Sequence, residues 1–260
     1  MRFANKRVIV TGAAGAVGSG IATAFEAEGA RVCLSDLRAE RAEALARSLG
    51  LSPDRYLIHR TDVRTKASVD ELVEAVCTAW GGVDILVNAA GLYPDQMLME
   101  MSETDWDRVL DTNLRGPFLL SQAVGRRLIA QGTGGKIVNI TSGAAESTRL
   151  GAAHYSVSKA GLAMLTRGLA LELARHGVNV NNVSPGLTAT DGEVNPLSPD
   201  YTEVMAQTIP LGRLCRPADT AKAVLFVCSD DAEFITGGTI KVDGGRTAGN
   251  YRLPRSSSTK

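Results

Sequence analysis

Residues 152–161 read AAHYSVSKAG, with Tyr155 and Lys159 four positions apart in a stretch patterned as the start of a helix. Four residues is a little over one turn, so the two side chains lie one above the other on a single face. A free tyrosine, with a pKa of about 10, is a poor base at neutral pH. A neighbouring ammonium stabilises the phenolate and lowers that value. The pair can then take the proton of a secondary alcohol as its carbon gives up a hydride, and return it in the reverse direction. The same spacing also fits two polar residues on a solvated surface, so the rest of the chain must decide.

A second set of residues suits a dinucleotide. The first apolar run ends in TGAAGAVGSG, Thr11 to Gly20, and leads directly into a helical pattern. Glycines at such a junction let the backbone turn tightly and approach a phosphate, whose charge a helix N-terminus favours. The spacing G-x-G-x-x-G is absent; Gly12, Gly15 and Gly18 stand three apart, and glycine also serves tight turns for geometry alone. Asp36, in CLSDLR, closes the second apolar run. A carboxylate there accepts hydrogen bonds from a ribose diol and repels a 2′-phosphate, which favours NAD over NADP. Arg38 stands two residues on as a counterweight, and the alternative reading is that Asp36 caps the next helix. Ser142 ends the fifth apolar run, on the edge where open α/β sheets bind ligands. Its hydroxyl can hold a substrate oxygen beside Tyr155, or satisfy strand-end backbone groups.

The elements that must position these residues alternate regularly. Segments 6–12, 30–36, 55–60, 83–91, 135–142, 178–186 and 238–245 are short, rich in Val and Ile, and read as strands. Helical patterns occupy 16–28, 38–49, 65–79, 102–130, 153–175 and 217–229. Strands with consecutive apolar residues between helices predict a parallel sheet covered on both faces. Right-handed crossovers make it a doubly wound, seven-stranded α/β sheet of Rossmann type in one domain. We expect residues 1–247 to form the dinucleotide-binding and catalytic domain. Residues 187–212, with three prolines and little periodicity, read as a lid or substrate loop, and 248–260 as a polar tail.

Composition narrows the partners. The 28 basic and 28 acidic side chains balance and form no basic stripe, which argues against nucleic acid or an anionic membrane surface. No apolar run is long enough to span a bilayer, and the N-terminus lacks a signal-peptide core. Cys33, Cys77, Cys215 and Cys228 show no C-x-x-C spacing and read as buried free thiols in a reducing compartment, so the expected location is cytoplasmic. No second ligand stands at metal spacing from His154, and His59 and His176 read as structural or surface residues, so no metal is expected.

Taken in order, these residues resemble the short-chain dehydrogenase/reductase family, from about residue 5 to residue 246. TGAAGAVG at 11–18 resembles the family's T-G-x-x-x-G-x-G turn, with Ala16 in place of its middle glycine. TDV at 61–63, NAAG at 88–91 with Ala89 in place of an asparagine, DTNLRGPF around Asn113, SPGLTAT at 184–190 and ITGGTIKVDGG follow in order. The resemblance implies a catalytic set of Asn113, Ser142, Tyr155 and Lys159, with Asn113 helping to hold a proton-relay water. It implies a cofactor site of Gly12, Gly15, Ala16, Val17, Gly18, Asp36, Asp62, Val63, Asn88, Ala89, Gly91, Pro185, Gly186, Thr188 and Thr190, with Tyr155 and Lys159 reaching the nicotinamide ribose. Asp62 would face the adenine. The expected cofactor is NAD, and the expected partner a small alcohol or ketone walled by Tyr93, Glu146, Arg149, Leu150, His154 and Leu187. The motif set is also that of 3-oxoacyl-thioester reductases, and a dinucleotide-sensing protein with idle chemistry is a third reading. Relatives pair through helices corresponding to 102–130 and 153–175, which implies a homo-oligomer, often a tetramer.

Overall fold

Val8, Ile9 and Val10 are all fully buried, yet the first and third pack with one apolar cluster and the second with another. That division is the plan of the molecule. The computed structural model describes residues 1–48, 50–52, 54–189, 198–249 and 251. Its strands are β1 (Arg7–Thr11), β2 (Arg31–Asp36), β3 (Tyr56–Arg60), β4 (Ile85–Asn88), β5 (Gly135–Ile140), β6 (Val178–Pro185) and β7 (Thr239–Val242). The helices are α1 (Ala16–Ala27), α2 (Ala39–Ser48), α3 (Lys66–Trp80), α4 (Glu103–Leu110), α5 (Gly116–Gln131), α6 (Ala153–Leu173), α7 (Pro199–Gln207) and α8 (Pro217–Cys228). All sheet pairings are parallel, in the order β3-β2-β1-β4-β5-β6-β7.

Side chains alternate across each strand, so neighbouring apolar residues feed opposite faces. One cluster joins Val10, Leu34, Val87 and Val138 to Ile21 and Phe25 of α1 and Val224 of α8. The other joins Ile9, Cys33, Leu86 and Ile137 to Leu72 of α3, Leu120 and Val124 of α5 and Leu173 of α6. Burial on both faces is why the strands read as unbroken apolar runs. The four cysteines are buried free thiols, as their apolar settings implied. After β1 the chain winds outward to β3, then returns to β4 on the other side of β1. The loops after β1 and β4 therefore diverge and open a crevice at the C-terminal edge. Arg7 fastens the opposite edge, its guanidinium donating to both oxygens of Asp84 at 2.8 and 2.7 Å.

Two expected elements differ. The single helix over 102–130 is α4 and α5 joined by a π turn, Asp111–Arg115. Pro117 has no N–H to give the carbonyl of Asn113, four residues before it, so the α-helical ladder cannot close there. The widened turn instead carries the Gly116 N–H to the Asp111 carbonyl. Within 187–212, read as largely irregular, the chain forms α7. Ser198 caps it by accepting a hydrogen bond from the Tyr201 N–H at 3.2 Å, and Asp200 lies in its first turn. Among the described residues no helix is long and apolar enough to cross a membrane.

Candidate active site

The crevice floor is the turn between β1 and α1. Gly12 sits at φ +65°, and a Cβ there would lie 2.7 Å from the Cα of Ala90. At Gly18 a Cβ would fall 2.2 Å from the Gly12 carbonyl oxygen, so neither position admits a side chain. Gly15 caps α1 with no side chain accepting from the first turn, and that turn holds no acid. The first amides of the helix, beginning at Ala16, Val17 and Gly18, are thus left to an anion. Thr11 Oγ1 accepts from the Ala89 and Ala90 N–H groups at 3.2 and 3.3 Å, which joins this turn to the end of β4.

Asp36, buried at the end of β2, accepts from the Ala14 N–H at 3.0 Å and from the Arg38 N–H at 2.9 Å. It therefore holds the glycine turn and the start of the next segment together, with lone pairs to spare. Arg38 Nε stands 3.9 Å away. Asp62, expected to face adenine, is gripped by Arg64, whose Nε and Nη2 donate at 2.9 and 2.7 Å. That hydrogen-bonded pairing holds its carboxyl below the usual range against the opposing effect of burial. Val63 lies under the start of α5, where Gly116 leaves room for it.

The four catalytic candidates converge from three elements. Asn113, in the π turn, is fully buried; its Oδ1 accepts from the Leu92 N–H at 2.8 Å. Its Nδ2 donates to the Leu92 carbonyl at 2.7 Å and to Ser158 Oγ at 3.1 Å. A Cβ on Gly91 would lie 3.4 Å from Asn113 Oδ1 and 3.7 Å from Lys159 Nζ, so the β4 exit faces both residues. Ser142, just past β5, accepts from the Ala144 N–H at 3.2 Å and keeps its own proton free to donate.

Tyr155 opens α6 among these groups. Burial pushes its phenol above the ordinary value, hydrogen bonding to Ser142 pulls it back, Tyr93 adds to the rise, and Arg149 opposes it. Tyr93 meets Tyr155 edge to face, with ring centroids 6.4 Å apart. Lys159 is 6% exposed; its Nζ donates to the Ile140 carbonyl at 2.8 Å, and burial lowers its pKa to about 8. The ammonium stands 5.7 Å from the Tyr155 ring centroid, over the ring. Among the protein's own groups burial dominates the phenol, while the ammonium of Lys159 is held beside it by the Ile140 carbonyl.

The wall residues separate. Arg149 pairs with Asp95 at 2.5 Å and lies in the field of Tyr155 and of Tyr201 on α7. The Gln96 N–H donates to the Gly151 carbonyl at 2.8 Å, so the segments after β4 and before α6 are clasped together. Leu150 projects into solvent beside them. Glu146 instead reaches β7, pairing with Lys241 at 2.6 Å. His154 is wholly buried with neither ring nitrogen hydrogen-bonded, near Asp105, Asp95 and Arg108. Its inaccessibility removes it from the wall. Burial also holds it below its ordinary pKa.

Beyond β6, Pro185 ends the strand and the Gly186 N–H donates to the Val242 carbonyl at 2.9 Å. A Cβ on Gly186 would meet the Cα of Asp243 at 2.9 Å. Thr188 Oγ1 donates to the Gly186 carbonyl at 3.1 Å, and the Leu187 carbonyl accepts from the Cys215 N–H. Thr190 lies outside the described residues. The sequence reading missed Asp95 and Tyr201, because their only signal is proximity in the fold. Among the described residues no cluster of metal-ligating side chains occurs.

Known proteins share this arrangement. A family model described as enoyl-(acyl carrier protein) reductase matches residues 12–247. Galactitol 2-dehydrogenase of Agrobacterium fabrum is 36% identical, over 94% of this chain and 98% of its own. D-threitol dehydrogenase of Mycolicibacterium smegmatis is 39% identical, over 95% and 94%. The 3-oxoacyl-(acyl-carrier-protein) reductase of Staphylococcus epidermidis is 38% identical, over 93% and 98%. The crystal structure of a short-chain type dehydrogenase/reductase from Mycobacterium marinum superposes with a TM-score of 0.89 at 33% identity, covering 95% of this chain and 97% of that one. With its sheet order, glycine turn and Ser–Tyr–Lys grouping, the chain belongs to the short-chain dehydrogenase/reductase family of oxidoreductases.

Proposed function

We propose that the protein is an NAD-linked dehydrogenase that interconverts a secondary alcohol, of the polyol class, and its ketone. The observation that carries this reading is the convergence of Ser142, Tyr155, Lys159 and Asn113 beside a glycine turn anchored by Asp36. The cradle fits a dinucleotide: Gly12 and Gly18 leave no room for side chains, and the α1 amides suit a pyrophosphate. Asp36 has lone pairs left for a ribose diol. Asp62 and Val63 suit the adenine side, Asn88, Ala89 and Gly91 the central floor. Pro185, Gly186, Thr188 and Thr190 suit the nicotinamide end.

When bound, the dinucleotide supplies the acceptor or donor of a hydride. Ser142 holds the substrate oxygen, and Tyr155 takes its proton in oxidation or donates one in reduction. Lys159 keeps positive charge next to the phenol and reaches the ribose hydroxyls. The side chain of Asn113 is fully engaged, so its part in proton relay falls to its carbonyl, which Pro117 frees to hold a water. Tyr93, Arg149 and Leu187 wall the substrate under the 187–212 lid, with Tyr201 joining them. These hydroxyls and the Arg149–Asp95 pair suit a polyhydroxylated chain, the substrate type in the names of the galactitol and threitol dehydrogenases. A second reading, reduction of a 3-oxoacyl thioester, is favoured by the Staphylococcus relative and by the exposed Leu92, Leu150 and Leu211.

Exposed Phe118 on α5 and Val157, Met164 and Leu171 on α6 support pairing of subunits through those helices. We further propose residues 1–247 as the dinucleotide-binding and catalytic domain, in a cytoplasmic setting. The cofactor assignment is tested by kcat/KM with NAD and NADP for the wild type and Asp36→Asn. The wild type is expected to prefer NAD. The variant should raise the NADP-to-NAD ratio about tenfold or more, because the carboxylate charge that repels a 2′-phosphate is gone. A wild-type preference for NADP, or a ratio that does not move, would refute it.

A further inference from the structure

A row of polar side chains crosses the sheet beneath the catalytic helix. Register places Asn88 beside Asn139, Asn139 beside Asn182, and Asn182 beside Thr239, on β4, β5, β6 and β7. All point to the face covered by α5 and α6, as their positions two from Leu86, Ile137 and Val180 require. Asn88, Asn139 and Asn182 are at most 2% exposed in a surrounding of Val, Leu and Ile. A buried amide without partners is costly, and these groups find most of theirs within the row; among the described residues only Asn88 Oδ1 of the three asparagines is left without one.

Asn139 and Asn182, however, do not bond each other. Thr166 of α6, itself fully buried, is inserted between them. Asn88 Nδ2 donates to Asn139 Oδ1 at 2.7 Å, and Asn139 Nδ2 donates to Thr166 Oγ1 at 2.8 Å. Thr166 Oγ1 donates to Asn182 Oδ1 at 2.6 Å, and Asn182 Nδ2 donates to Thr239 Oγ1 at 3.2 Å. A hydroxyl has one proton, and the Leu162 carbonyl at 3.0 Å is the longer of its two acceptors. The chain of donors therefore runs one way, from β4 through α6 to β7, and each bond polarises the next. Asn88 Nδ2 also donates to Ser121 on α5 at 3.2 Å, so both helices of this face are tied to the row.

Thr166 follows Lys159 by seven residues and Tyr155 by eleven, about two and three turns. The three side chains thus share one face of α6. Among the described residues, α6 is joined to the sheet by two side-chain hydrogen-bonding points, Lys159 on the Ile140 carbonyl and Thr166 in the row. Lys159 is a member of the catalytic group, which leaves Thr166 as the fixed reference. We infer that Thr166 is a positioning residue: its insertion between Asn139 and Asn182 sets the height and rotation of α6, and with them the placing of Tyr155 and Lys159. The inference rests on Tyr155 being the acid/base of the proposed reaction.

The test compares Thr166→Val, which keeps the shape and removes the hydroxyl, with Thr166→Ser, which keeps the hydroxyl. The first readout is the phenolate absorbance of Tyr155 with NAD bound, taken as the difference between each protein and the same protein carrying Tyr155→Phe. It needs no substrate, so a wrong substrate class leaves it intact. The groups around the phenol are Ser142, Tyr93, Arg149 and Lys159. With Thr166→Val the midpoint should rise by about one unit as Lys159 is drawn out of line. For whichever alcohol the protein oxidises, kcat should fall tenfold or more with the KM for NAD unchanged. Thr166→Ser should restore both to within about twofold. An unshifted midpoint in folded Thr166→Val overturns the inference, as does equal impairment of the Ser variant, which would make packing of the methyl the cause. If Thr166→Val fails to fold, Asn182→Ala removes the acceptor of the Thr166 proton, together with the bond to Thr239, and leaves Thr166 itself in place. It should move the midpoint the same way, and no movement there also overturns the inference.

Discussion

Lys159 is kept in the interior at a cost. Its ammonium is almost wholly buried with one protein acceptor, the Ile140 carbonyl, and burial alone lowers its pKa from 10.5 to about 8. The unfolded chain holds this proton up to the higher value and the folded chain only to the lower. Stability attributable to this group therefore rises with pH between about 8 and 10.5 and is reduced below that window. Lys159→Met should accordingly raise the melting temperature at pH 7, abolish turnover, and lose its stability advantage as pH climbs through that window. A lower melting temperature at pH 7 would show the ammonium to be better satisfied than its surroundings indicate. The sequence disclosed this pair because a four-residue spacing on a helix fixes proximity without knowledge of the fold. It could not disclose that Glu146 turns to Lys241, or that His154 is sealed against α4, since those neighbours are set by tertiary packing.

The π turn between α4 and α5 does for Asn113 what an ordinary helix could not. It buries the side chain against Leu92 and Ser158 while Pro117 withholds the donor that the Asn113 carbonyl would otherwise accept. Pro117→Ala returns that donor. The expected outcome is a higher melting temperature, NAD binding within about twofold of wild type, and a kcat lowered about tenfold as the carbonyl is taken from its water. An unchanged kcat in a stabilised variant would remove the carbonyl from the relay. Apolar periodicity runs through 102–130 without a break, and the one sign of the interruption was a proline inside it. Likewise Ser198, Pro199 and Asp200 form a helix start, but nine residues of α7 are too few for periodicity to stand out among three prolines.

Across the whole molecule the sheet was legible and its wiring was not. Consecutive Val, Ile and Leu residues signal strands buried on both faces, and seven of them separated by helices leave few topologies. Strand register is what brings Asn88, Asn139 and Asn182 into a row, and no single segment carries that information. The same holds for the crevice, where Gly91, Asn113 and Lys159 come from separate segments and meet only because β4 exits beside α6. Hydride exchange at a secondary carbon is the property that requires the entire assembly: cradle, strand ends, π turn and catalytic helix together. The most direct measurement is the initial rate of NAD reduction by the purified protein with galactitol and with D-threitol, beside Tyr155→Phe. Saturable NADH formation is expected with at least one of these polyols. The variant should lose roughly a hundred- to ten-thousandfold in rate, with NAD binding retained. Failure to oxidise either polyol with NAD, or turnover that survives the loss of the Tyr155 hydroxyl, would contradict an NAD-linked polyol dehydrogenase with Tyr155 as its acid/base.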